Sequence, residues 1–219
     1  MPASASPHAG PTAEVLVAFL PDHGDRAADH RMLVALAARL APLPLGATIT
    51  HRCDACGSHE HGRPLVAGAD GSFVDVHVSL SRAGGLVALA ATLAGPLGID
   101  IESLAAVRAA AFDDVAFDPD ERDALRAVAE ARGAAGADRM RALAWSAKEA
   151  VLKATGTGLR TDPRTLHLDL DGTSVRLSPR AHPSMSLHPF AAAGLFGHVA
   201  VAARAGDIPA RYSLGRLFE

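Results

Sequence analysis

The sequence predicts an α+β protein built from two similar halves, and three observations carry that prediction. Stretches with strand alternation and stretches with helical spacing are interspersed along the whole chain. Nearly half of the 219 residues are hydrophobic (49%), enough to bury a substantial core. The segment Gly85-Leu86-Val87-Ala88-Leu89-Ala90-Ala91 is echoed by Gly197-His198-Val199-Ala200-Val201-Ala202-Ala203, 112 residues later and close to half the chain length. We therefore expect a flexible N-terminal tail over residues 1–12, an N-terminal α+β half over 13–103 and a C-terminal α+β half over 104–219.

The elements follow in order. The tail is rich in Ser, Pro and Ala. Residues 14–20 alternate as a strand. Residues 27–40 read as a helix with Met32, Leu33, Leu36 and Leu40 at helical spacing, and Pro42 and Pro44 end it. Residues 51–64 read as a polar loop. Strands are expected near 74–79, 86–92 and 99–102. Asp118 caps the next helix, with Pro119 at its first position and Glu121 completing a capping box. A further helix runs through Trp145 to about Ala154 and stops at Gly156 or Gly158. Strands return near 166–170, 174–177 and 197–203.

Composition excludes several classes. A net charge of -3 lacks the basic footprint of a nucleic-acid binder. Two cysteines are too few for a secreted disulfide scaffold. The longest apolar run, residues 84–101, is broken by Thr92, Pro96, Asp100 and four glycines, so no membrane span is expected. The N-terminus has no positively charged region of the kind that opens a signal peptide. A cytoplasmic protein is the expectation.

Nineteen of the 21 basic residues are arginine, and the two lysines, Lys148 and Lys153, both lie within nine residues of the single Trp. Lysine is a compact, titratable point charge and arginine a rigid fork, so this choice of residue suggests chemistry. In Gly98-Ile99-Asp100-Ile101-Glu102 the isoleucines face one way and the carboxylates the other. Two carboxylates on one strand face suit a hard divalent ion such as Mg²⁺, although a wet acidic strand face accounts for them as well. Glu149 and Lys153, four apart, share a helix face with Lys148 on its flank. They make either a surface ion pair or a third carboxylate with two ammonium groups for phosphate oxygens.

Together, the strand motif and Trp145-Ser146-Ala147-Lys148-Glu149-Ala150-Val151-Leu152-Lys153-Ala154-Thr155-Gly156-Thr157-Gly158-Leu159 closely resemble the signature of 4′-phosphopantetheinyl transferases of the Sfp type. Gly62-Arg63-Pro64, Ser79 with Ser81, and Phe117 through Glu121 add to the likeness, which spans roughly residues 60–160. The resemblance implies a single-chain pseudo-dimer with its active site in the cleft between the halves. It implies Mg²⁺-dependent (or Mn²⁺-dependent) transfer of phosphopantetheine from coenzyme A to a serine of an apo carrier protein, releasing adenosine 3′,5′-bisphosphate. Asp100, Glu102 and Glu149 would hold the metal, with Asp100, Glu149 and Lys153 catalytic. Glu149 would take the serine proton, directly or through water. Arg63, Ser79, Lys148 and Lys153 would bind coenzyme A. The implied partners are carrier proteins or domains of fatty-acid, polyketide or nonribosomal-peptide synthases, with no nucleic acid and no membrane. A monomer is expected, since a pseudo-dimer fills its own site.

One position departs from the family. Where the family commonly reads Ser-His-Ser, with the His on a phosphate, this chain reads Ser79-Leu80-Ser81. That contact is missing or supplied elsewhere. His77, on the strand face of Ser79, is one substitute, and an ordinary strand histidine is the other reading. Arg31 and Arg39 either reach the nucleotide's 3′-phosphate or coat a solvated helix face. Cys53, Cys56, His59 and His61 have zinc-ligand residue types, but four ligands within nine residues make a cramped chelate. An unmetallated loop or a reducible thiol pair is expected there. Two other classes of function compete with the transferase: a catalytically degenerate binder of coenzyme A or carrier protein, and a zinc-built interaction module.

Overall fold

The computed structural model describes residues 14–178, 184–202 and 212–214. The expected tail, residues 1–12, and the end of the last expected strand at Ala203 lie outside them. The chain runs β1 (Val15–Pro21), α1 (Arg26–Ala37), β2 (Thr48–Arg52), β3 (Arg63–Ala67), β4 (Phe73–Ala83), β5 (Leu86–Thr92) and β6 (Leu97–Ser103). It continues with α2 (Leu104–Ala109), α3 (Asp113–Ala116), α4 (Pro119–Thr155), β7 (Leu168–Leu170), β8 (Val175–Leu177), β9 (Met185–Ala192), β10 (Leu195–Ala202) and β11 (Tyr212–Leu214). The mixed α and β content agrees with the expected fold class.

Two sheets form the centre. One has six strands in the order β11-β1-β5-β4-β3-β2, the other three in the order β6-β10-β9. Val15, Val17, Ala88 and Ala90 from the first meet Leu97, Ile99, Ile101, Val199 and Val201 from the second in one apolar cluster. On the far side of the six-stranded sheet, Leu33, Leu36 and Ala37 of α1 cover Val66, Val78 and Leu89. On the far side of the smaller sheet, Ala150, Val151 and Leu152 of α4 meet Ala200. The layers therefore run helix, sheet, sheet, helix, as the one-faced apolar patterns of α1 and the strands require. No helix of the described residues is long and apolar enough to cross a membrane.

The sequence boundary at 103/104 falls between β6 and α2, but the sheets cross it. β6 pairs antiparallel with β10, and β11 pairs parallel with β1. The two echoed segments hold corresponding places. β5 closes the β4–β5 hairpin and lies between β4 and β1, while β10 closes the β9–β10 hairpin and lies between β9 and β6.

Several elements differ from expectation. The expected loop at 51–64 contracts to residues 53–62, because β2 and β3 claim its ends. Both are short, and Pro64 and the polar residues of β2 hide the alternation. β9 was masked in the sequence by Pro189, which an edge strand tolerates. The two expected helices join into α4, bent at Gly133, whose φ of 71° and ψ of 178° are not helical. The capping box at Asp118 forms as expected, with Glu121 N–H donating to Asp118 and Asp118 N–H to Glu121, both at 2.9 Å.

Candidate active site

The seam between the sheets builds the site. One edge of β6 pairs with β10; on the other, the N–H groups of Ile99 and Ile101 donate to the hydroxyls of Ser79 (3.1 Å) and Ser81 (3.4 Å) on β4. Ile99 and Ile101 turn into the inter-sheet core, so Asp100 and Glu102 face α4. Helix α4 lies very close to β6. A Cβ at Gly98 would fall 1.9 Å from the carbonyl oxygen of Ala150, so the glycine permits backbone contact there.

That approach brings Lys153 onto Asp100. The ammonium donates to Asp100 Oδ1 at 2.6 Å and to the Ile99 carbonyl at 3.1 Å, and Ser81 donates to the same Oδ1 at 2.7 Å. Asp100 Oδ2, by contrast, is buried with no hydrogen-bond partner. Burial pushes the Asp100 carboxyl up against the opposing pull of Lys153. Glu102 is pushed up to about 7, first by burial and then by the charge of Asp100, with a further contribution from Glu149. Burial, and then Asp100, also raises Glu149. The Asp100 charge thus raises both Glu102 and Glu149, beside an Asp100 oxygen that has no hydrogen-bond partner; all three acids offer oxygen donors, the type that suits a hard ion such as Mg²⁺.

Lys153 also lines a cleft of about 660 Å³, together with Arg26, His30, His51, Arg63, Arg82 and Arg160. Asp25 caps the start of α1, where the Ala28 N–H donates to it at 3.0 Å, and Arg26 and His30 follow one turn apart. Buried Asp29 pairs with Arg82, and Asp54 pairs with Arg63 at 3.1 Å. Desolvation followed by Arg26 and Arg82 lowers the His30 imidazole, and desolvation followed by His30 and Arg26 lowers His51. The cleft is rich in arginine and histidine, and Lys153 links it to the acid cluster.

The structure thus brings together Asp100, Glu102, Glu149 and Lys153, with Arg63 in the adjoining cleft. Lys148 is a correction. Its ammonium has no exposure and donates to Glu121 Oε2 at 2.5 Å and to the carbonyls of Ala116 and Pro163 at 2.9 Å. Helical spacing puts it on the flank that packs into the protein, so it cannot reach a ligand in the cleft. Ser79 borders the cleft, and its hydroxyl oxygen accepts from the Ile99 N–H. Leu80 also borders the cleft, while His77 pairs with Asp75 at 3.6 Å and is not among the lining residues. Arg31 sits on the exposed side of α1 beside Asp25, and Arg39 is exposed; neither lines the cleft. Sequence reasoning missed Arg26, His30, His51, Arg82 and Arg160. The one available signal was the spacing of Arg26 and His30 behind a capping Asp.

The site is thus an acid cluster joined by one lysine to a cleft rich in arginine and histidine. Residues 96–203, from the start of β6 to the end of β10 and just under half of the chain, match the family model of the 4′-phosphopantetheinyl transferase superfamily. No curated protein matches the chain. The matched segment contains the three acids and Lys153, and it supports phosphopantetheine transfer in general.

Proposed function

We propose that this protein transfers the 4′-phosphopantetheine group of coenzyme A to a serine hydroxyl of an apo carrier protein, giving holo carrier and adenosine 3′,5′-bisphosphate. The observation that carries the reading is the meeting of Asp100, Glu102 and Glu149 around Lys153, which also lines the cationic cleft. The serine oxygen attacks the phosphorus that bears the pantetheine arm, and the bond to the nucleotide's bridging oxygen breaks. Glu149, kept basic by burial, takes the serine proton directly or through a water. Lys153, held from behind by Asp100 and Ile99, faces the cleft and steadies charge on the departing bisphosphate. Asp100, Glu102 and Glu149 would hold Mg²⁺, which supplies charge neutralisation at the pyrophosphate when bound. Arg63, Arg26, Arg82 and Arg160 would bind the nucleotide's phosphates. His30 and His51 stand in the cleft as the phosphate donors that Leu80 is not.

The two-half, Sfp-type reading draws support from the matching places of β5 and β10 and from the exchange of β6 and β11 between sheets. A coenzyme A cleft bordered by α1 and β4 on one side and α4 on the other suits a pseudo-dimer that acts as a monomer. Carrier domains of fatty-acid, polyketide or nonribosomal-peptide synthases are the proposed acceptors.

Intact mass of several apo carriers, incubated with the protein, coenzyme A and Mg²⁺, tests the reaction. The expected gain is about 340 Da, one phosphopantetheine. Excess chelator should abolish the gain, and Mg²⁺ or Mn²⁺ should restore it. Full transfer in chelator would take the metal role from the three acids. No gain on any carrier while coenzyme A still binds would favour the degenerate binder.

The depressed imidazoles give a second prediction. A bound phosphate favours the protonated ring, so His30 and His51 should take up protons on nucleotide binding. Affinity for adenosine 3′,5′-bisphosphate should therefore rise as pH falls from about 8 to about 6. Calorimetry in buffers of different ionisation enthalpy should record that uptake. Affinity independent of pH would place both rings away from the phosphates.

A further inference from the structure

The loop that joins β2 to β3 is not absorbed by the transfer chemistry. It is organised around a sulfur. Cys53 N–H donates to the Ser58 carbonyl at 2.9 Å, and Gly57 N–H returns to the Cys53 carbonyl at 2.8 Å. Gly57 takes a φ of +72°, which a side chain would strain, and so closes the Cys53-Asp54-Ala55-Cys56-Gly57 turn. His59 Nδ1 lies 3.0 Å from the His51 carbonyl, which ties the far limb of the loop back to β2.

Within this frame one ligand atom each from Cys53, Cys56 and His61 lies within 4.8 Å of the others, and Cys56 Sγ is 3.4 Å from His61 Nε2. Tetrahedral zinc, with bonds of about 2.3 Å to sulfur and about 2.0 Å to nitrogen, spaces such a pair about 3.5 Å apart. The N–H groups of Cys56 and Ala55 point at the Cys53 sulfur. Arg160 Nη1 donates to the same sulfur at 3.6 Å. Cys53 is buried, whereas Cys56 and His61 are exposed, so an ion can enter from solvent. The cramped chelate feared from four ligands does not arise, because three suffice with water in the fourth position.

We infer that Cys53, Cys56 and His61 form a zinc site that fixes the β2–β3 loop beside the cleft. Thiolate and imidazole ligands select zinc over the hard ions that suit the acid cluster. The loop also carries two contacts to the cleft's arginines. Asp54 holds Arg63 at 3.1 Å, and Cys53 accepts from Arg160. Zinc would thus hold both guanidinium groups in place. This positioning role rests on the nucleotide-binding reading of the cleft; the metal site itself does not.

The test begins with metal analysis of the full chain purified under reducing conditions without chelator. About one zinc per chain is expected, lost in Cys56→Ser and in Cys53→Ser. Cobalt exchanged into the protein should give a thiolate-to-cobalt charge-transfer band that Cys56→Ser lacks. Because Cys56 is exposed, that variant should keep the wild-type melting profile of the apo protein. Stripping zinc should weaken adenosine 3′,5′-bisphosphate binding by about 10-fold, restored by Zn²⁺ and not by Mg²⁺. A chain that holds no zinc and gives no cobalt band, or whose cysteines are recovered as a disulfide, overturns the site. Unchanged nucleotide affinity after stripping overturns the positioning role alone.

Discussion

Glu149→Gln is expected to lower the transfer rate by about 10³-fold while leaving the protein folded. The substitution keeps shape and hydrogen-bonding capacity and removes one negative charge. It takes away the proposed proton acceptor for the serine and one oxygen ligand for the cation. It also relieves repulsion, since Asp100 raises the Glu149 carboxyl and Glu149 in turn raises Glu102. The melting temperature without metal should therefore stay level or rise slightly, and adenosine 3′,5′-bisphosphate should still bind, because Glu149 does not line the cationic cleft. Single-turnover rates beside a thermal melt make the comparison. An unfolded variant would make Glu149 a structural residue, and a fully active one would remove it from the chemistry.

Lys148→Met is expected to act in the opposite sense and to cost about 3–5 kcal/mol of stability. The Lys148 and Glu121 side chains are 0% and 1% exposed, so removal of the ammonium leaves a carboxylate buried without its cation. Glu121 can then persist only by taking a proton. Its carboxyl is already raised by burial in the intact pair, with Lys148 pulling the other way, and loss of Lys148 raises it further. A carboxyl whose folded value is raised is stabilised at low pH and loses that stability as pH climbs through the folded value. The deficit of Lys148→Met should accordingly be largest near pH 8 and shrink toward about pH 5. Glu121→Gln added to Lys148→Met should recover part of it. Denaturant unfolding at several pH values measures both variants beside the wild-type protein. A stable Lys148→Met whose only defect is a higher KM for coenzyme A would return Lys148 to the phosphates.

These two neighbours show where sequence reasoning reached and where it stopped. The facing of Asp100 and Glu102 follows from strand alternation, and the shared helix face of Glu149 and Lys153 from helical spacing, so both were legible, whereas the ion pair of Lys153 with Asp100 was not. Lys148 is one residue from Glu149, and nothing in spacing alone says which flank of α4 enters the interior. That depends on Glu121, 27 residues away, whose capping role was legible and whose second role as partner of a buried ammonium was not. The cationic cleft was the least legible part. Arg26, His51, Arg82 and Arg160 come from α1, β2, β4 and the turn after α4, and each is one arginine or histidine in an arginine-rich chain. Their convergence is a product of sheet order, which no local pattern encodes. Leu80 borders the cleft as a side chain without a donor, and the histidines that share that cleft arrive from other elements.

The exchange of strands between the two sheets has a consequence for how the molecule assembles. β6 leaves the first half to pair with β10, and β11 returns to lie against β1, joining residues near 15 to residues near 212. Such pairings have high contact order, so the chain must close its longest loops before either sheet is complete. The acid cluster itself forms earlier, because Lys153 reaches Asp100 from only 53 residues away through the packing of α4 on β6. Neither half alone contains the whole cluster, since Asp100 and Glu102 lie before the boundary and Glu149 and Lys153 after it. A chain cut short of β10 would therefore keep β6 and α4 but leave one edge of β6 without its partner strand.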